Sequence, residues 1–307
     1  MNNLTVDDFK YLFGMPENEA FEMPTIKLIN EMNWNYRIAD NQEKDEIVDK
    51  IFKRIFEHDF SKAIDHNSDR WVKGWGENLD EFKKNKDIKS LTPKYIRPGQ
   101  PLRLNGEFIF PDDPNFEFNW YFVFRDWFAR KYLKNFDSIY EFGCGSGHNI
   151  KYLSSIFPEK NFYGFDWVQP SVDILNEMSK DNDLHIKGDI FDFFNPNYDL
   201  SFDDNSAVIT MGALEQTGSE YSEFINFLLV KKPDLIFHVE PFFEFYEKDN
   251  IVDYTALRSH KIKNFWIGLP NYLKKIDKNN SITVEKEHRV KFGSLILEGY
   301  SQLFWKP

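Results

Sequence analysis

Three glycines alternate with other residues in the stretch YEFGCGSGHN, and a glutamate precedes them. Glu141, Gly143, Gly145 and Gly147 follow one another at intervals of two. A loop with so few side chains lets a ligand lie close against its backbone. Such a loop between a strand and a helix is typical of nucleotide-like ligands bound to an open α/β sheet. The spacing therefore predicts a ligand-binding turn.

The glutamate and a missing glycine narrow the choice of ligand. The dinucleotide fingerprint is G-x-G-x-x-G, and His148 stands where its third glycine belongs. A carboxylate from Glu141 at the mouth of the loop repels a pyrophosphate, yet it suits a ligand that carries an ammonium group. S-adenosylmethionine has such a group and no phosphate, so the loop favours it over a dinucleotide.

Two further acidic residues follow at the ends of predicted strands. Asp166 lies 19 residues after Gly147, and Asp189 lies 23 residues after Asp166. An acid at the end of the second strand can accept hydrogen bonds from both ribose hydroxyls, which by itself does not separate NAD from S-adenosylmethionine. A carboxylate at the end of the third strand can accept from an adenine amino group.

The elements that position these residues alternate along the second part of the chain. The strands are predicted in SIYEFG, NFYGFDW, LHIKGDI, SAVITMG and DLIFHVE, and helices are predicted between and after them. This alternation predicts a parallel sheet covered by helices on both faces. SITVEKEHRVKF and LILEGYSQLFW follow as two strands joined by a short turn that contains Gly293. The sheet is therefore expected to end in an antiparallel hairpin.

Together, the glycine loop, the two acids and the hairpin resemble the class I S-adenosylmethionine-dependent methyltransferases over residues 116–307. The resemblance implies an α/β, Rossmann-like sheet of seven mostly parallel strands with the last one antiparallel, and S-adenosylmethionine as cofactor. It also implies that Asp166 holds the ribose and that Asp189 contacts the adenine, with Trp167 or Ile190 flanking the ring. The glycine loop and Glu141 complete the implied cofactor site.

Residues 1–115 have a different pattern and are predicted to form a mainly helical extension and connector that covers the substrate. One helical face carries Ile47, Val48, Ile51, Phe52, Ile55, Phe56 and Phe60. Five prolines between Pro93 and Pro114 exclude a long helix there and predict an extended connector. Arg97, Arg103 and Asn105 in this connector suit a carboxylate or phosphate on the substrate.

Catalytic groups are expected just past the carboxyl ends of the fourth and fifth strands. Glu215 follows the fourth strand, His238 and Glu240 end the fifth, and His260 lies in the insertion before the hairpin. An imidazole or a carboxylate can take the proton of a hydroxyl acceptor. His238, inside a buried strand, is equally compatible with a core residue. The spacing of these residues indicates no metal site.

Composition restricts the partners and the compartment. The net charge of −12 disfavours binding to nucleic acids and to anionic membranes. The apolar runs are shorter than the roughly 20 residues that a membrane span needs. A single cysteine, Cys144, excludes an internal disulfide, and the N-terminus MNNLTVDDFK shows no secretion signal. We therefore expect a cytoplasmic protein with a small-molecule partner.

The predicted function is methyl transfer to oxygen or nitrogen of a small molecule, including a sugar or nucleotide-linked sugar of a surface-polysaccharide pathway. TMGALEQTG lacks the Asn/Asp-Pro-Pro-aromatic block that adenine and glutamine-amide methylators of the family carry, which counts against DNA and protein-glutamine acceptors. Two alternatives stay open: an aminopropyl transferase that uses decarboxylated S-adenosylmethionine, and a non-catalytic module that binds S-adenosylmethionine. The sequence does not specify the acceptor or the oligomeric state.

Overall fold

A computed structural model of the chain describes residues 1–57, 68–180, 184–278 and 281–307, so Phe60 lies outside the described residues. Its helices are α1 (Val6–Leu12), α2 (Met23–Glu31), α3 (Asn41–Glu57), α4 (Ser68–Asn85), α5 (Phe116–Phe128), α6 (His148–Ile156), α7 (Gln169–Met178), α8 (Ser222–Lys231), α9 (Ile251–Ile262) and α10 (Leu269–Asp277). Its strands are β1 (Asn2–Asn3), β2 (Asn35–Ile38), β3 (Leu102–Leu104), β4 (Glu107–Pro111), β5 (Ser138–Phe142), β6 (Asn161–Asp166), β7 (His185–Ile190), β8 (Ser206–Met211), β9 (Leu235–Glu240), β10 (Thr283–His288), β11 (Phe292–Gly293) and β12 (Ser301–Lys306).

Seven strands form one sheet in the order β10-β12-β9-β8-β5-β6-β7. β5 pairs in parallel with β6 and with β8, and the parallel pairing continues outward to β7 and β9. β12 runs antiparallel to both of its neighbours, β9 and β10. The predicted Rossmann-like sheet of mostly parallel strands with an antiparallel last strand is therefore confirmed.

The strand order creates a crevice beside β5. The chain runs from β5 through β6 to β7 on one side, and then returns to form β8 on the other side of β5. In open α/β sheets, ligands bind at such a switch point, outside the carboxyl ends of the strands. All five residues of β5 and the first five of β8 are buried, as expected for central strands covered on both faces.

A second, five-stranded sheet joins the two ends of the chain in the order β1-β2-β4-β3-β11. β3 and β4 lie within the predicted connector, and β11 lies between β10 and β12, where a short turn was expected. β11 pairs antiparallel with β3, so the segment around Gly293 is a strand of this second sheet. β10 and β12 still pair with each other as predicted. Helices predominate in the described part of residues 1–115, and four short strands accompany them.

The N-terminal segment shares an aromatic core with α5. Phe13, at the end of α1, is fully buried and contacts three rings of α5: Trp120 at 5.2 Å, Phe124 at 5.3 Å and Trp127 at 4.6 Å between centroids. Further along the extension, α4 packs against α7 and α3 packs against α9. None of the helices in the described ranges has the length and apolar content that a membrane crossing requires.

The aromatic core that the N-terminal segment shares with α5 leads to a prediction about stability. Phe13→Ala should lower the free energy of unfolding by about 3–5 kcal/mol, because it removes a buried aromatic ring from the centre of the cluster. Tyr11→Ala is the matched control: its side chain lies on the same helix and is largely exposed, so we expect a change within about 0.5 kcal/mol. Chemical denaturation followed by tryptophan fluorescence measures both. Equal stabilities of the two variants would show that α1 does not share the core.

Candidate active site

The glycine loop joins β5 to α6 and lies against the turn that follows β8. Gly143 has a φ of +73°, and a Cβ placed there would lie 2.2 Å from the Cβ of Ala213. Gly145 has a φ of +53°, and its Cβ would lie 2.8 Å from the indole of Trp75. Glycine alone combines a left-handed backbone with so little space. The loop is therefore in contact with β8's turn on one side and with α4 on the other.

Asp166 ends β6 and fixes the conformation of the glycine loop. Its Oδ2 accepts a hydrogen bond from the backbone N–H of Gly145 at 2.8 Å, and its Oδ1 accepts one from Val168 at 3.2 Å. Burial raises the pKa of Asp166 to about 6, although these backbone hydrogen bonds oppose the shift. A carboxylate has further lone pairs, and Asp166 lines the cleft, so it can also accept from a ligand hydroxyl.

Glu141 lies in β5 below the glycine loop, and one of its oxygens is unpaired. Oε1 accepts a hydrogen bond from Nδ2 of Asn149 at 2.7 Å, whereas the buried Oε2 has no partner among the described residues. Burial raises the pKa of Glu141 to about 8, against the opposing effects of Asn149 and of Arg125. A cation in the cleft would pair this oxygen and return the pKa toward its ordinary value.

His148, the first residue of α6, presents a hydrogen-bond donor to the cleft. NH1 of Arg125 lies 2.6 Å from its Nδ1, and because a guanidinium only donates, Nδ1 is the acceptor. Burial, together with the charge of Arg125, holds the pKa of His148 well below its usual value. The neutral ring therefore carries its proton on Nε2, which is buried without a partner in the described chain.

The cleft between these residues opens to solvent, and the space among its lining residues, open solvent included, is about 710 Å³. Its base is formed by Glu141, Asp166 and the glycine loop, and its cover comes from Trp71, Trp75, Pro93 and Tyr95 of the N-terminal extension. The rings of Trp71 and Trp75 are stacked, with centroids 5.5 Å apart. No lysine or arginine is among the described lining residues. Carboxyl groups thus lie at the base of the cleft, and aromatic rings form its cover.

Two buried glutamates lie beside the cleft, next to the lining residues Ala213, Gln216 and Thr217. The carboxylate of Glu240 accepts hydrogen bonds from the backbone N–H groups of Ala213, at 3.1 Å, and Leu214, at 3.1 Å. Burial, then the charge of Glu240 and a hydrogen bond to it, raise the pKa of Glu215 well above its ordinary value. Glu215 therefore favours its protonated form.

Both predicted catalytic histidines lie in the core. Trp305 Nε1 donates to Nε2 of His238 at 3.1 Å, so Nδ1 carries the proton and donates to Thr210 Oγ1 at 3.0 Å. Burial lowers the pKa of His238 to about 3. His260 is enclosed by aromatic rings, and burial followed by the charge of Lys263 lowers its pKa to about 3 as well. Neither histidine lines the cleft, and for His238 the arrangement favours the core interpretation.

The remaining predicted residues are divided between the cleft and other regions. Trp167 lines the cleft, whereas the side chains of Asp189 and Ile190 are exposed and lie outside its lining. Arg103 is fully buried in the second sheet and donates to Thr255 Oγ1 and to the carbonyl of Leu295. Asn105 is exposed in the β3–β4 turn, and Arg97 is exposed in the connector after Tyr95. The structure therefore does not bring Asp189, Ile190, Arg103 or Asn105 into the cleft.

Trp71, Trp75, Tyr121 and Asn149 are among the lining residues that the sequence analysis did not identify. The two tryptophans are four residues apart on α4, which is a signal for stacked rings on one helix face. Their docking over the glycine loop depends on the packing of α4 against α7. Tyr121 donates a short hydrogen bond to Asn149 Oδ1, and Asn149 in turn orients Glu141.

No group of three or more His, Cys, Asp or Glu residues in the described ranges is arranged to hold a metal ion. No family model and no curated protein matches the chain. The chain is similar to solved structures.

Three of these structures are methyltransferases. The plantazolicin methyltransferase BpumL in complex with SAH is 13% identical over 85% of this chain and 98% of its own, with a TM-score of 0.43. Human N-acetylserotonin methyltransferase in complex with SAM is 11% identical over 85% of this chain and 68% of its own, with a TM-score of 0.44. An O-methyltransferase family 2 protein from Planctomyces limnophilus in complex with apigenin is 11% identical over 88% of this chain and 97% of its own, with a TM-score of 0.42. At these identities and TM-scores, the similarities carry no inference about what this chain binds.

The raised pKa of Glu141 leads to a prediction about how stability depends on pH. Because its pKa is about 8 in the folded chain and near 4.3 in an unfolded one, the folded state holds a proton between these pH values that the unfolded state has lost. The free energy of unfolding therefore falls as pH rises through this window, by up to about 1.4 kcal/mol per pH unit from this group.

Glu141→Gln removes that contribution and should flatten the curve between pH 5 and pH 8, so that its stability relative to the wild type rises with pH. Glu223→Gln, at an exposed position on α8, is the control and should follow the wild type. Denaturant unfolding at several pH values measures the difference. A Glu141→Gln curve parallel to that of the wild type would contradict the raised pKa.

Proposed function

We propose that the chain is an S-adenosylmethionine-dependent methyltransferase that acts on oxygen or nitrogen of a small molecule. The buried carboxyl groups at the base of the cleft are the observation that supports this most strongly. Glu141 and Asp166 are buried there, and the described lining contains no lysine or arginine. A pyrophosphate would face two buried carboxyl groups at this base, whereas an ammonium group would find a counter-charge there. When bound, S-adenosylmethionine supplies an electrophilic methyl group.

Three residues at the base fit separate parts of that cofactor. The unpaired Oε2 of Glu141 suits its ammonium group, and the carboxylate of Asp166 suits the ribose hydroxyls. The buried Nε2–H of His148 suits a carboxylate beside the ammonium group. This last feature favours S-adenosylmethionine over its decarboxylated form, and therefore methyl transfer over aminopropyl transfer. Trp167, which lines the cleft, is the better placed of the residues proposed for the adenine.

A hydroxyl acceptor must lose its proton during transfer, and we assign this role to the pair of Glu215 and Glu240. Oε2 of Glu215 is buried without a partner in the described chain, beside the cleft residues Gln216 and Thr217. A carboxylate with a raised pKa is a stronger base than an ordinary one, so ionised Glu215 can accept the proton of an acceptor bound beside it. His238 has no comparable access, since both ring nitrogens are engaged in the core.

The aromatic cover agrees with an acceptor that contains a ring. Trp71, Trp75 and Tyr95 line this part of the cleft, and about half of the Tyr95 surface, 53%, is exposed. Such side chains stack on planar rings and on the apolar face of a sugar. No contact of the described residues separates a sugar or a nucleotide-linked sugar from other ring compounds.

The cofactor assignment is tested by calorimetric titration with S-adenosylmethionine, its decarboxylated form and NAD. We expect S-adenosylmethionine to bind most tightly. Asp166→Ala should weaken its binding by about 2–4 kcal/mol, roughly 30- to 1000-fold, because two hydrogen bonds to a carboxylate are lost. Asp189→Ala changes the charge equally outside the cleft lining, so its effect should be smaller. Melting temperatures of both variants show whether loss of the Gly145 hydrogen bond has disturbed the fold. Tighter binding of NAD, or unchanged affinity in a folded Asp166→Ala variant, would contradict the assignment.

Two variants test whether Glu215 or His238 takes the proton of a hydroxyl acceptor. Glu215→Gln keeps the size of the side chain but cannot take a proton, so turnover of a hydroxyl acceptor should fall about 100- to 10,000-fold with cofactor affinity unchanged. His238→Ala should instead lower the melting temperature, because Trp305 and Thr210 lose their buried partner. Release of S-adenosylhomocysteine from a panel of hydroxylated ring compounds measures turnover. A stably folded but inactive His238→Ala variant would assign the base to His238 instead.

A further inference from the structure

Four basic side chains, which we call the cationic rim, are carried by the N-terminal extension and by the residue after α9, and none of them is a lining residue of the cleft: Arg54, Arg70, Arg97 and Lys263. The guanidinium of Arg70 lies over the ring of Trp71, 5.4 Å from its centroid, and Trp71 lines the cleft. Arg97 follows two residues after Tyr95, another lining residue. These two arginines therefore lie at the outer edge of the aromatic cover.

The other two members approach from the helices behind that cover. Arg54 is carried by α3, which packs against α9 through a shared core that includes Ile51 and Ile55. The ring of Phe52 also contacts Tyr254 of α9, at 6.5 Å between centroids. Lys263 directly follows α9. The packing of α3 on α9 thus brings together the helix that carries Arg54 and the helix that Lys263 follows.

The charges of the rim also act on one another. Burial lowers the pKa of Arg54, and the charges of Arg97 and Arg70 lower it further. Burial lowers the pKa of Lys263 to about 8, with additional repulsion from Arg54 and Arg70 and an opposing attraction from Glu215. Lys263 is thus within electrostatic reach of Glu215, which directly precedes the lining residue Gln216.

The three arginines of the rim have no carboxylate partner within the ranges the structure describes. By contrast, Arg37, Arg130 and Arg289 each pair with one, at 2.6 Å, 3.0 Å and 2.7 Å. Carboxylates are abundant in the chain, with 50 Asp and Glu against 38 Lys and Arg. Three arginine charges without a carboxylate partner destabilise the folded chain, and a bound anion removes that cost.

We propose that the cationic rim binds an anionic group, a phosphate or a carboxylate, on the methyl acceptor while Trp71 and Trp75 contact the acceptor's ring. This inference rests on the proposed function, since it specifies the acceptor of the same cleft. The planar guanidinium fork matches both oxyanions through paired hydrogen bonds. The stacked indoles provide an adjacent flat surface. The acceptor is therefore a ring compound with an anionic substituent.

The test uses the full chain and three probes with one ring in common: phenyl phosphate, benzoate and phenol. Trp71 and Trp75 line the cleft, so tryptophan fluorescence together with calorimetry reports binding. Both anions should bind more tightly than phenol, and their affinity should fall as salt concentration rises. The tighter of the two anions distinguishes a phosphate from a carboxylate. Equal binding of phenol and both anions would overturn the proposal.

Variants that remove one positive charge each test whether anion binding depends on the cationic rim. Arg70→Gln and Arg97→Gln should each weaken binding of the preferred anion about tenfold or more and leave phenol unchanged, because a charge-assisted hydrogen bond is lost. Arg37→Gln is the matched control: it removes the same charge from a guanidinium that pairs with Glu43, and the affinity should stay within about twofold. Anion affinity unchanged in both rim variants would overturn the proposal.

A parallel titration with S-adenosylmethionine separates this inference from the proposed function. A chain that binds S-adenosylmethionine but binds the anions independently of the rim contradicts the inference alone. A chain that binds phenyl phosphate through the rim but does not bind S-adenosylmethionine contradicts the proposed function instead. A single-stranded oligonucleotide that binds more tightly than phenyl phosphate, and depends on the same arginines, would overturn a small-molecule acceptor.

Discussion

Two backbone turns lie against each other at the carboxyl ends of β5 and β8, and a buried carboxylate from the neighbouring strand fixes each of them. Asp166 of β6 accepts from Gly145 in the first turn, and Glu240 of β9 accepts from Ala213 and Leu214 in the second. The turns approach so closely that no side chain fits at Gly143. The position and depth of the cleft follow from this contact, because it sets where the two halves of the sheet separate.

The polarity of the cleft follows from the same arrangement. Asp166 holds backbone N–H groups and Glu141 holds the side chain of Asn149. Both carboxyl groups are buried, and burial raises the pKa of each. The base is thereby adapted to a positively charged ligand. The N-terminal extension contributes the aromatic cover, and its basic residues Arg70 and Arg97 lie at the outer edge. Under the two proposals, cofactor and acceptor meet in a cleft with opposite charge at its two ends.

Features set by local backbone geometry could be predicted from the sequence, whereas those set by distant packing could not. The spacing of the glycine loop and the acid that ends β6 both depend on a few consecutive residues, and they predicted the ligand-binding turn. The alternation of strands and helices predicted the sheet. Trp75 reaches the loop only because α4 packs on α7, and β11 exists only through pairing with β3. His238 was ambiguous because β9 is buried on both faces, so alternation along the strand does not show which face borders the cleft.

The most direct test of the account is a crystal structure of the full chain with bound S-adenosylhomocysteine. The account predicts the ligand's ammonium group within about 2.7–3.2 Å of Glu141 Oε2, with the ribose hydroxyls at Asp166 and the glycine loop against the ligand. A ligand bound elsewhere, or one bound in the cleft with no group at Glu141 Oε2, would contradict the central claim that the buried, unpaired carboxylate of β5 selects the cofactor.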